Sequence, residues 1–164
     1  MDEGINIQSK MINKTRIFFS GICAGITLNI SMLLTFRLIG FGWNGNGILL
    51  NPEIQSEKLI AVWTEINPIP LIVNNPLPMI FGLIIFGIIH AFIYYWLSRC
   101  WPEGILSRSL RFGSLIFLLC FLFWEFFTPF NMFGEPFYLI IIELIFWAII
   151  AYSEALVLAS IIER

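Results

Sequence analysis

The chain has 164 residues, of which 59% are hydrophobic, 16% aromatic and only 12% charged, with a formal net charge of −2. That is far more apolar than a soluble globular domain, and with no basic stripe it has nothing with which to grip a nucleic-acid backbone. Cys23, Cys100 and Cys120 stand far apart in apolar surroundings and form no C-x-x-C, so they read as small buried hydrophobes rather than a disulfide framework or a zinc site.

Residues 1–16 are polar, and an apolar run then extends from Ile17 to about Gly40. It is too long for the core of a cleavable leader and lacks an Ala-x-Ala site, so it is expected to remain as a membrane helix. Gly21, Gly25 and Asn29 recur every fourth residue on one face of it. Small residues at that spacing let helix backbones approach closely, with Asn29 placed to hydrogen-bond across the contact. The 41–76 stretch is the only sizeable connection. Its FGWNGNG opening is rich in turn formers, and Asn51-Pro52-Glu53 predicts a helix start. Leu59, Val62, Trp63 and Ile66 form an apolar stripe on that short helix, which is expected to lie on the membrane surface.

A second span is predicted over 78–98, opened by Asn75-Pro76, with Gly87 and Ala91 as a small face beside His90. A third covers about 110–128 and a fourth 137–162, joined by a short turn at Thr128–Pro136. Ala148, Ala151, Ala155 and Ala159 give the fourth helix its own packing face. The expected architecture is therefore all-α: a polytopic integral membrane protein of four transmembrane helices, one membrane domain over 1–164, with a short interfacial helix in the first external loop.

Orientation follows from the cations. With the N-terminus inside, Lys10, Lys14, Arg16, Arg99, Arg108, Arg111 and Arg164 fall on the cytoplasmic side, against Lys58 and Arg37 opposite. The bias predicts a multi-pass protein of a bacterial-type inner membrane with cytoplasmic N- and C-termini. The 41–76 connection and the 128–136 turn then face outward.

This topology gives the charges depths. At ~1.5 Å rise per residue, Arg37 and Glu125 lie about 5 Å, and Glu143 about 9 Å, from the outer ends of their helices. Glu65 and Glu135 belong to the outer connections. From Phe112 to Ile162 the only charged residues are Glu125, Glu135, Glu143 and Glu154, with no cation among them. Ionisable groups at membrane depth are costly and usually face a partner or a cavity. Two readings follow. In one, Arg37, Glu125, Glu143, Glu135 and Glu65 build an outward-opening acidic pocket roofed by the loop helix. In the other, Arg37 snorkels to the interface, Glu125 sits there too, and Glu143 merely pairs with an arginine. Glu143 and Glu154, eleven residues apart, share a helix face that could line a proton path, with His90 as a second relay group.

No phosphate-binding loop, dinucleotide fingerprint or H-E-x-x-H motif is present. One histidine cannot supply paired haem ligands, and no D-x-D-type loop supports calcium or magnesium. No cofactor and no metal is therefore expected. The expected partners are the lipid bilayer and a homo-oligomer or larger membrane complex, with no nucleic acid. The leading function is a small carrier or proton-coupled membrane component. The alternatives are an accessory or assembly subunit, and a membrane enzyme using Glu125 or Glu143 on a lipid or quinone head group.

Overall fold

A computed structural model describes residues 14–163, so Lys10 and Arg164 of the cation count lie outside the described residues. Among these residues every regular element is helical. In chain order the longer ones are α1 (Lys14–Gly40), α2 (Glu57–Thr64), α3 (Leu77–Ser98), α4 (Ile105–Phe133) and α5 (Phe137–Ile162), with single helical turns at Ile48–Leu50 and Leu71–Asn74. The four long helices are apolar enough to cross a membrane, and all but α2 exceed 20 residues, the length that spans about 30 Å of hydrocarbon. This is a polytopic, all-helical membrane protein.

Packing starts from small residues. A Cβ added at Gly21 would overlap the backbone of Ile88, one at Gly25 the backbone of Ile84, and one at Gly87 the backbone of Gly25. The α1 and α3 backbones therefore touch, and Asn29 donates across the contact to the Ile80 carbonyl at 3.2 Å. In an apolar solvent, where burial of apolar surface gains nothing, close backbone contact and interhelical hydrogen bonds are what hold helices together. α1 and α4 both pack against α5. The buried face of α5 carries Ile150, Ala151, Ala155, Leu158, Ala159 and Ile162. The space between α3 and α4 is filled by a ring. Phe112 meets Tyr94 edge-on at 5.3 Å and His90 at 5.9 Å.

Three boundaries differ from the sequence reading. The third span begins at Ile105, five residues before the expected 110. The third helix does not stop at 128 but runs to Phe133, and the turn expected over Thr128–Pro136 shrinks to Gly134–Pro136. Pro129 sits inside a stretch of wide, π-type winding over Phe126–Phe130. That looser turn takes up the missing N–H and the ring, which would break a regular helix. Termination waits for Gly134, whose φ of +67° is a left-handed conformation that suits glycine. The loop helix also starts later than Asn51. Asn51 Oδ1 accepts from Glu53 N at 3.0 Å, closing only a local turn, and Ser56 then caps α2 by accepting from Leu59 N at 3.2 Å.

The α1–α3 contact makes a direct test. Gly25→Leu should destabilise the bundle by about 1–3 kcal/mol through overpacking, whereas Phe123→Leu, at an exposed position, should stay within about 0.5 kcal/mol. Melting in mild detergent reads both, and equal losses would contradict the packing.

Candidate functional site

At the end of the bundle that carries the 41–76 connection, three carboxyl groups converge. Glu125 comes from α4, Glu143 from α5, and Glu135 from the turn between them. One carboxylate oxygen of each lies within 4.8 Å of the other two. Glu125 and Glu135 are each 1% exposed and Glu143 is 7% exposed.

Each is positioned by identifiable chemistry. The winding of α4 departs from regular spacing on both sides of the Phe123–Glu125 turn, over Phe117–Leu122 and Phe126–Phe130. Glu125 is thereby directed inward while Trp124 and Phe126 stay exposed. Its Oε1 accepts from the indole of Trp147. Trp147 is itself held by stacking on Phe121 at 4.2 Å and by contact with Phe36 at 4.6 Å. Glu143 lies one turn before Trp147 on α5, and one of its carboxyl oxygens comes within 4.8 Å of one of Glu125's.

Glu135 is held by the loop. Gln55 Nε2 donates to Glu135 Oε1 at 2.6 Å and to the Leu49 carbonyl at 3.0 Å. Ser56 Oγ donates to the Phe133 carbonyl at 2.8 Å, Lys58 donates to the Met132 carbonyl, and Tyr138 donates to the Ile54 carbonyl at 2.9 Å. The segment from Leu49 to Lys58 is thus a lid tied over the α4–α5 turn. Burial pushes the Glu135 carboxyl up to about 7, with the neighbouring Glu125 adding to the rise and the Gln55 amide opposing it.

Arg37 and Glu65 do not join this cluster. Arg37 is exposed, donates to the carbonyls of Gly42 at 3.2 Å and Trp43 at 2.9 Å, and lies 5.6 Å from the Trp43 ring. The guanidinium finds carbonyl acceptors within six residues of its own position, which removes the need for a carboxylate on another helix. Glu65 is exposed at the C-terminal end of α2. The pocket expected from the sequence therefore loses its cation and its fifth member. Its three remaining carboxyl groups are buried.

His90 and Glu154 form a second polar site. His90 Nδ1 lies 2.8 Å from Glu154 Oε1, and the two residues are 6% and 0% exposed. Phe86 packs on the imidazole at 4.1 Å. Along α5, Glu154 is about 16 Å from Glu143, and the buried side chains of Phe146 and Ile150 lie on the same face between them. An apolar layer therefore separates the two sites. Beyond Glu154, near the end of α5, Arg108 pairs with Glu163, which also accepts from Tyr94 Oη at 3.0 Å.

Gln55 and Trp147 are the site residues that sequence reasoning missed. Gln55 reads as part of the polar face of a loop helix, and nothing local says that it turns inward. Trp147 stands four residues after Glu143, a spacing that puts two side chains on one helix face and is the one signal the chain offers.

The chain matches no protein-family model, no curated protein and no solved structure. Function must be argued from the site itself.

Glu135 generates a pH test. Its folded-state value lies above the ordinary carboxylate range, so its contribution to stability is full below pH of about 4.5 and is lost as pH rises towards about 7. Melting temperature in detergent should fall between pH 5 and pH 8. Glu135→Gln, a permanent mimic of the protonated form, should flatten the upper part of that slope. An unchanged slope in the variant would contradict the assignment.

Proposed function

We propose that this protein is a small carrier or proton-coupled membrane component whose working groups are Glu125, Glu135 and Glu143. The observation that carries this reading is their mutual proximity with no lysine or arginine salt-bridged to any of them among the described residues. Three buried carboxyls cannot all remain ionised side by side. The cluster has to take up positive charge, either as protons or as another cation, and loading and releasing that charge is what a coupled carrier does. His90 and Glu154, on the far side of the apolar layer, supply a second acceptor on the same side of α5. Movement of charge between them requires the Phe146–Ile150 layer to open, so the arrangement corresponds to a closed state of such a carrier.

The orientation that suits this role puts the lid outside an inner membrane and both termini in the cytoplasm. Support comes from the cations Arg16, Arg99, Arg108 and Arg111 around the helix ends and connection opposite the lid. On this view α2 lies at the outer interface with Trp63, whose ring meets that of Phe41 at 4.6 Å and a 45° tilt, at headgroup level. A reporter inserted near Gly45 should be external and one fused after Arg108 cytoplasmic; the reverse pattern would invert the carrier.

Reconstituted into liposomes with an entrapped pH dye, the full chain should pass protons under an imposed potential. Glu143→Gln should reduce that flux to the protein-free background. Identical rates for wild type, variant and empty vesicles would remove the carrier reading in favour of a structural or accessory role.

A further inference from the structure

We infer that Glu125, Glu135 and Glu143 form a binding site for a hard divalent cation of calcium or manganese size, which on the carrier reading above is the charge that the cluster loads. The donor set is entirely carboxylate oxygen, the ligand type that selects such ions over zinc or copper. Oxygens bound to one ion at about 2.4 Å can be no more than about 4.8 Å apart, and the three side chains offer one oxygen each within 4.8 Å of the others.

A second observation points to a ligand independently of acid proximity. Glu125 and Glu135 are each 1% exposed, yet the Oε2 atom of each meets no N–H or hydroxyl donor. Their other oxygens are occupied by the Trp147 indole and the Gln55 amide. Each carboxylate is thus oriented through one oxygen and left with a free lone-pair donor on the other, buried where an unpaired polar atom is costly. Donors that hold a ligating carboxylate from behind in this way are the ordinary outer shell of a metal site. The charge also balances: a divalent ion offsets two ionised carboxylates, and the third can stay protonated and neutral. The segment from Leu49 to Lys58 covers the cluster at Glu135, and Glu143, at 7%, is the most exposed of the three acids.

Trp147 provides a built-in probe, because its indole touches the cluster. The full chain, purified in mild detergent and stripped with chelator, should sensitise terbium(III) luminescence on tryptophan excitation. The signal should saturate at one ion per chain and be displaced by calcium or manganese(II). Glu125→Gln and Glu143→Gln should each weaken binding by roughly tenfold or more, and Glu65→Gln should leave it unchanged. If the glutamine variants fail to fold, wild-type protein alone decides: calcium should raise its melting temperature. Absence of saturable emission and of any calcium-dependent melting shift would overturn the inference, as would undiminished binding in folded Glu125→Gln and Glu143→Gln. Ion binding without flux in liposomes would keep this site and remove the carrier reading; proton flux without ion binding would do the reverse.

Discussion

Burying carboxyl groups together without a countercharge is the constraint around which one end of this bundle is built. Each of the three acids needs a donor or a proton, and the chain supplies donors from separate places: an indole from α5 for Glu125 and an amide from the loop for Glu135. The consequence is structural as well as electrostatic. The 41–76 connection is not a free linker, because Gln55, Ser56 and Lys58 must be brought down onto the α4–α5 turn to satisfy Glu135 and the carbonyls of Met132 and Phe133.

The rest of the bundle gives that arrangement a rigid frame. Contact between α1 and α3 at Gly21, Gly25 and Gly87 brings two backbones together, and α5 packs against α1 and α4. Because α5 carries both Glu143 and Glu154 on its buried face, the two polar sites are fixed in register by a single helix. The apolar layer of Phe146 and Ile150 between them lies on that same face. A change at one site can therefore reach the other only by a shift of α5 or by rearrangement of the aromatic group of Phe36, Phe121 and Trp147 around it.

The wide-wound segments of α4 belong to the same logic. Over Phe117–Leu122 and Phe126–Phe130 the helix departs from regular spacing, a feature that often accompanies functional positions because it redirects one side chain without ending the helix. Here the redirected side chain is Glu125. The same loosening lets Pro129 be accommodated, so that the helix extends to Gly134 and delivers Glu135 beneath the lid.

The spans, their approximate limits and the small-residue faces are set by local chemistry: apolar length, glycine and alanine spacing, and turn formers all act within one helix or between neighbours in sequence. For that reason the chain alone places Gly21, Gly25 and Asn29 on the face that meets α3, and Glu143 and Glu154 on a common side of α5. What only the tertiary structure decides is which polar group meets which. Depth puts Arg37 and Glu143 at similar levels, but depth says nothing about azimuth, and Arg37 turns outward to nearby carbonyls. Gln55 and Glu135 are eighty residues apart, and the irregular winding of α4 hides the direction of Glu125 from any 3.6-residue count. Helix periodicity is a property of the backbone ladder and is legible in the chain. The meeting of side chains across helices depends on rotation and tilt, which emerge only when all four helices have packed.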